Sequence, residues 1–201
     1  MRKLYGGANS RALRSLWMLE ELALDYEHVP VDFARKETRS PEYLAINPNG
    51  RIPALVDGEL VLWESMAINL YLARTYDGGL WPADPADQAR ALQWSFWAMT
   101  ETEAPLVEAL ANRFLLPADQ RKPERIERAE RALAAPLAVL DGALAGRPAL
   151  VGERFGVADL NVASVLAWMR LVGFATGATP HVGRWLDACL ARPAFARARR
   201  R

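Results

Sequence analysis

The chain has 201 residues, of which 51% are hydrophobic and 24% charged, the balance of a globular protein rather than a disordered one. A formal net charge of +1 supplies no overall field to hold nucleic acid or an anionic membrane surface, so any anion site must be local. The single cysteine, Cys189, excludes an intrachain disulfide framework and any C-x-x-C redox or zinc motif. The opening Met1-Arg2-Lys3-Leu4-Tyr5-Gly6-Gly7 holds no apolar run of signal-peptide or membrane-span length, so a cytoplasmic protein is expected.

Leu4-Tyr5 is a short strand candidate, and residues 6–9 form a loop into a helical run from Arg11 to about Leu22. Residues 27–31 read as the next strand, so strand, helix and strand make a right-handed parallel crossover. A short helix is expected after Pro41. Residues 54–56 and 60–62 flank Asp57-Gly58, a hairpin signal, and from Glu64 the apolar positions Ile68, Tyr71 and Leu72 recur at helical spacing up to about Tyr76. Residues 77–85 carry two glycines and two prolines and read as a linker. Beyond them no strand signal is convincing, and Ala- and Leu-rich helical runs cover about 86–112, 123–144, 157–171 and 181–190. Pro105 and Pro136 lie inside such runs and are expected to kink or split them. The arginines of residues 197–201 read as a solvated, mobile tail.

Residues 47–55 read Asn-Pro-Asn-Gly-Arg-Ile-Pro-Ala-Leu, with Glu64-Ser65 nine residues further on. The Ile52-Pro53 bond sits where a polar loop meets an apolar strand, a tight junction that favours a cis bond. Ser10 stands where the first loop becomes the first helix, a capping position that also favours an anion. Glu64 and Ser65 open another helix, where free backbone N–H groups and the Ser65 hydroxyl can converge on a carboxylate. In residues 155–160, Asp159 is placed at N3 of a capping box with Phe155 and Leu160 at the staple positions, but the cap itself is Gly156, which has no side-chain acceptor.

These stretches, from Leu4-Tyr5 and Ser10-Arg11 through the proline loop and Glu64-Ser65 to Phe155–Val162, resemble the cytosolic glutathione transferase family, in its bacterial type with a serine-class-like active-site loop. The resemblance covers almost the whole chain. It implies an α/β thioredoxin-like N-terminal domain (βαβ-ββα) over residues 1–78, a linker over 79–85 and an all-α C-terminal domain over 86–201. It also implies glutathione as co-substrate, no metal, a small hydrophobic electrophile as second substrate, and a homodimer.

The roles it implies fall on particular residues. Ser10 would donate a hydrogen bond to the sulfur of glutathione, with Tyr5 and Asn9 as competing donors and Arg11 as a weaker helper. Glu64 and Ser65 would hold the γ-glutamyl end, the Ile52 backbone before Pro53 would pair with the cysteinyl unit, and Arg51 would meet the glycyl carboxylate. A free thiol has a pKa of about 8.5, and lowering it by roughly two units takes about 3 kcal/mol. One hydrogen bond to a charged acceptor, roughly 1.5 to 3 kcal/mol, with a helix-dipole contribution of roughly 0.3 to 1, is enough.

Trp94, Phe96, Trp97 and Met99 are expected mostly in the core, while Met99, Glu103, Phe114, Trp168 and Met169 are candidates for the second-substrate wall. Glu101 or Glu103 could reach the glutathione amine of a neighbouring subunit. Cys189 reads as a small buried apolar residue, and His28 and His181 lack metal-ligand spacing. Two other functions stay open: glutathione-dependent disulfide or peroxide reduction, and a non-catalytic interaction module of the same fold.

Overall fold

Four short strands order the first part of the chain in the computed structural model, which describes residues 1–32, 35–76 and 78–201. They are β1 (Arg2–Tyr5), β2 (Tyr26–Val29), β3 (Ala54–Asp57) and β4 (Leu60–Trp63), in the order β2-β1-β3-β4. β1 runs parallel to β2 and antiparallel to β3, and β4 is antiparallel to β3. Helices α1 (Ala12–Glu21), α2 (Pro41–Ile46) and α3 (Ser65–Thr75) complete the βαβ-ββα order that the hydrophobic pattern predicts. A 3-10 turn at Glu37–Arg39, which no periodicity announces, precedes α2. β2 ends one residue before Pro30, which has no N–H for a ladder, and Gly58 turns the β3-β4 hairpin at φ +63°.

The chain divides into two compact units, Met1–Trp81 with Ala191–Arg201, and Pro82–Leu190. Within the first unit nearly every side chain of α1 is buried, because the helix packs against α3 and against α9 (Pro193–Ala198). The arginine-rich segment is therefore docked on α1 rather than a free tail, although its arginines stay partly exposed. Phe195 packs on Trp17 with ring centroids 4.7 Å apart, and Arg192 makes a two-point bridge to Glu21 at 2.7 and 2.8 Å. Arg197 and Arg201 both bind Glu20, at 2.9 and 2.7 Å. Tyr26 donates to the same carboxylate at 2.9 Å. This arrangement gives residues 191–201 to the first unit, where the sequence places them with the helical part.

The regular structure of the second unit's described residues is all helical: α4 (Pro85–Trp97), α5 (Glu103–Leu110), α6 (Pro123–Ala143), α7 (Val157–Val172) and α8 (Pro180–Leu190). Asp77, the first residue of the expected linker, lies outside the described residues. The linker stretch ends at Asp84, whose carboxylate caps α4 by accepting from the N–H groups of Ala86 and Asp87. The run expected over 86–112 is interrupted by two π-helical segments, Ala98–Thr102 and Ala111–Leu115. The first lies just upstream of Pro105, whose missing N–H leaves the preceding turn without its usual donor. Pro136, in contrast, does not split α6, which runs unbroken past it.

α7 is predominantly apolar and buried over residues 157–167, as the central helix of a bundle must be. Its start is fixed by Asp159, which accepts from the N–H groups of Leu150 and Gly156 and from the indole of Trp185, at 2.9, 3.0 and 2.8 Å. Gly156 leaves only the acidic half of the capping box, as expected, and Cys189 is buried. Two expectations fail. Phe96 faces solvent at 66%, and Trp94, Trp97 and Met99 are only half-buried rather than core. Among the described residues no helix is long and apolar enough to cross a membrane.

Burial pushes the Glu20 carboxyl up, but the bonds from Arg201, Arg197 and Tyr26 outweigh it and hold the group below its ordinary value of 4.5. A depressed carboxylate contributes stability that is complete above the ordinary value and is lost as pH falls through the folded one. Glu20→Gln is expected to cost about 2 kcal/mol near neutral pH. The gap between wild type and variant in thermal unfolding should close as pH falls below about 4.5; a gap independent of pH would show that the ion pairs contribute nothing.

Candidate functional site

The sheet register decides what meets what. Tyr5 at the end of β1 lies opposite Ala54 at the start of β3, and Ala54 lies opposite Trp63 at the end of β4. The loop at 6–10, the Ile52-Pro53 junction and the Glu64-Ser65 helix start therefore emerge at one end of the sheet. Seven residues singled out in the sequence for glutathione, Ser10, Arg11, Arg51, Ile52, Pro53, Glu64 and Ser65, come from these three connections.

Gly6 brings two of the connections into contact. It sits at φ +118°, and a Cβ there would stand 2.8 Å from the Cβ of Ala12 and 3.0 Å from that of Ile52, so only glycine lets β1 pass so close to both. Ser10 follows as a cap. Its hydroxyl accepts from the Ala12 N–H at 3.0 Å and donates to the Gly7 carbonyl at 2.7 Å. Arg11, between Ser10 and α1, is exposed. Tyr5 is half-buried against the cluster of Tyr43, Ile52 and Ala54, its ring edge-on to Tyr43 at 6.0 Å, while Asn9 is exposed.

The proline loop is built around Asn47, the first residue of the 47–55 motif, to which the sequence gives no role of its own. Buried at 2% exposure, Asn47 donates from Nδ2 to the Arg51 carbonyl at 2.6 Å, accepts from the Asn49 N–H at 3.1 Å, and accepts the Gly50 N–H on its own carbonyl at 2.9 Å. Tyr43 adds a second donor to the Arg51 carbonyl at 2.7 Å. Burial, with the neighbouring Tyr5 hydroxyl, pushes the Tyr43 phenol up to about 12, so it keeps the proton it donates. Both donors hold the residue before Ile52. The Ile52-Pro53 peptide bond is cis, as its position predicts, and the Arg51 side chain stays exposed.

At the third connection Glu64 takes φ +74° and ψ 113°, a conformation rare outside glycine, immediately before α3. Its carbonyl still accepts the Ile68 N–H at 3.0 Å, so the helix starts normally while the Glu64 side chain stays exposed. Ser65 is 3% exposed and accepts from Nη1 of the buried Arg14 at 3.4 Å. Because a guanidinium only donates, this bond leaves the Ser65 proton to point elsewhere. Arg14, which the sequence marks only by its four-residue spacing from Ser10, is thus a second participant, and the side chain of Asn69 holds the Arg14 carbonyl at 3.3 Å.

The residues considered for a second substrate are spread through the helical unit. Phe114 and Glu101 are exposed, Met99 and Trp168 half-buried, and Glu103 buried. Met169, on α7, is wholly buried. Among the described residues no group of three His, Cys, Asp or Glu side chains is placed to hold a metal ion.

Comparison with known proteins assigns the two halves separately. Residues 2–74 match the family described as the glutathione S-transferase N-terminal domain, and residues 103–193 match its C-terminal domain. The chain is 38% identical to glutathione S-transferase 3 of Zea mays, over 96% of this chain and 90% of that one. Its structure is similar to a theta class glutathione S-transferase from Xanthomonas axonopodis pv. citri with glutathione bound, with a TM-score of 0.91 and 33% identity over 98% and 96% of the two chains. It is also similar to the nitrogen regulation fragment of the yeast prion protein Ure2p, with a TM-score of 0.87 and 28% identity over 99% and 96%.

A non-glycine residue in such a conformation carries strain of order 1 to 3 kcal/mol. Glu64→Gly is therefore expected to raise the stability of the unliganded protein by about 0.5 to 1 kcal/mol, net of the extra freedom that glycine gives the unfolded chain. Denaturant unfolding checks this, and a loss of stability would mean that the position carries no strain.

Proposed function

Because the chain belongs to the glutathione S-transferase family, we propose that it binds glutathione at the common sheet end and directs the peptide's thiolate at a small hydrophobic electrophile. The observation that carries this reading is the register that gathers the 6–10 loop, the Ile52-Pro53 junction and Glu64-Ser65 at one end of the sheet. In this reading Glu64, Ser65 and the first N–H groups of α3 hold the γ-glutamyl end, the Ile52 backbone pairs with the cysteinyl unit as an added strand would, and Arg51 reaches the glycyl carboxylate. Arg11 stands beside the sulfur site as an exposed cation.

Ser10 is the proposed donor to sulfur. A serine hydroxyl has one proton and two acceptor positions. Turning that proton from the Gly7 carbonyl to the thiolate leaves Oγ free to go on accepting the Ala12 N–H, so the cap of α1 survives. The Gly7 carbonyl then keeps the Ser10 N–H, at 3.2 Å. Tyr5 is engaged by core packing and Asn9 by none, and Ser10 alone of the three stands at the positive end of a helix. The nucleophile is the thiolate of glutathione itself, since the loop carries no cysteine.

A second reading, a binding module without catalysis, draws on the bond that already occupies the Ser10 proton and on the similarity to the regulatory fragment of Ure2p. The two readings part on ionisation. Ser10→Ala is expected to raise the pKa of the bound thiol by about 1 to 2 units while glutathione affinity stays within about threefold, with a stability cost of about 1 kcal/mol for the lost cap. Thiolate absorbance of the complex measures the first and calorimetric titration the second. A wild-type complex whose thiol titrates at its free value would favour the binding module.

A homodimer accompanies the catalytic reading. Its support here is apolar surface in each unit, Leu60, Val61 and Trp63 on β4 and Leu92 and Phe96 on α4, all at least 38% exposed. Sedimentation of the wild type should give a dimer, and Phe96→Glu should shift it toward monomer. A monomeric wild type would remove the proposal.

A further inference from the structure

His28 lies on β2, 22 residues from Gly6 in the loop that carries Ser10, yet its Nε2 is 2.7 Å from the Gly6 carbonyl oxygen. A carbonyl only accepts, so Nε2 carries the proton and the ring donates. Side chains two apart on a strand share a face, and Tyr26, two residues earlier, reaches Glu20 on α1. His28 therefore stands on the α1 side of the sheet.

The bond matters because of where it falls. Residues 6–10 connect β1 to α1 and include two adjacent glycines, which are costly to order because they lose the most backbone freedom. Gly6 is held at both of its polar groups, its N–H by the Val29 carbonyl at 2.9 Å and its C=O by His28. One residue later the Gly7 carbonyl is the acceptor of the Ser10 hydroxyl. When that hydroxyl turns toward sulfur, the side-chain bond from Ser10 to the loop is given up, and the bond from His28 is untouched. The loop then keeps its shape without using the proton that the reaction needs.

We propose that His28 is a positioning residue of the sulfur site: by holding the Gly6 carbonyl it fixes the loop that aims the Ser10 hydroxyl, and so sets the ionisation of bound glutathione. This rests on the glutathione transferase reading above. It touches neither substrate nor sulfur, and it acts only through the loop backbone.

The test compares wild type with His28→Phe, which keeps a ring and loses the donor, His28→Ala, and His28→Gln, whose amide N–H can replace the imidazole donor. Hydrogen exchange across residues 6–11 of the unliganded protein reads the anchor without glutathione. It is expected to rise roughly 10-fold in the Phe and Ala variants, the worth of one ordinary hydrogen bond, and to recover in the Gln variant. With glutathione bound, the thiol pKa is expected to rise by about half to one unit in the same two variants and to recover in Gln, while KM for glutathione stays within about threefold and kcat falls roughly 3- to 10-fold.

Unchanged exchange in all variants would overturn the anchor. Faster exchange with an unmoved thiol pKa would reduce His28 to a structural residue and overturn the proposal as well. If the wild type itself leaves the thiol at its free value, the catalytic reading fails and this inference fails with it, whereas a lowered wild-type value with an indifferent His28 refutes the inference alone.

Discussion

Everything at the candidate site depends on the register between β1, β3 and β4. Because Tyr5, Ala54 and Trp63 stand side by side, three connections that are far apart in sequence begin or end at one edge. A slip of one residue in either pairing would turn every side chain of the moved strand to the other face and break the alignment of the loops. Register is defended by burial: Leu4, Ala54 and Leu55 are fully enclosed, so the sheet has one arrangement that keeps them dry. The placement of the site is thus a by-product of core packing, and the polar residues proposed to recognise glutathione contribute little to it.

What those polar residues contribute is local shape. Asn47 and Tyr43 both spend their donors on the Arg51 carbonyl, and Gly50 fits at φ +58° where a Cβ would stand 2.8 Å from the Thr38 carbonyl and 2.7 Å from the Arg39 guanidinium. Buried hydrogen bonds of this kind favour one loop geometry because the alternatives strand donors away from water. Glu64 shows the opposite strategy. There the backbone is held in an unfavourable region by a helix that starts correctly behind it, and the gain is a carboxylate presented at the helix mouth. Two loops of one site are therefore fixed by different means, one by satisfied polar groups and the other by enforced strain.

The sequence makes the fold legible wherever the signal is periodic or the residue chemically restricted. Alternation and helical spacing place β1 to β4 and α1 to α3 within a residue or two, Asp57-Gly58 marks its hairpin, and Ile52-Pro53 marks its cis bond. Legibility ends where one partner is a backbone atom. His28 and Asn47 act on carbonyls, which carry no sequence signature, and the contact of Arg14 with Ser65 emerges only once α3 is laid against α1. The π-helical segments escape because they keep helical composition while changing the bonding step. Phe96 misleads for a different reason: an aromatic residue at helical spacing reads as core, and spacing alone does not say which side of a helix is covered.

The clustering of Arg192, Arg197 and Arg201 around Glu20 and Glu21 bears on the order of folding. Two adjacent carboxylates at the C-terminal end of α1 oppose the negative pole of its own dipole, and the last turn of that helix contains no basic residue to relieve them. Relief comes from side chains more than 170 positions away. Helix α1 is therefore electrostatically incomplete until residues 192–201 have been added to the chain. Bringing groups more than 170 positions apart together closes a far longer loop than the β1–β3 pairing does, so these contacts carry a larger entropic cost of closure.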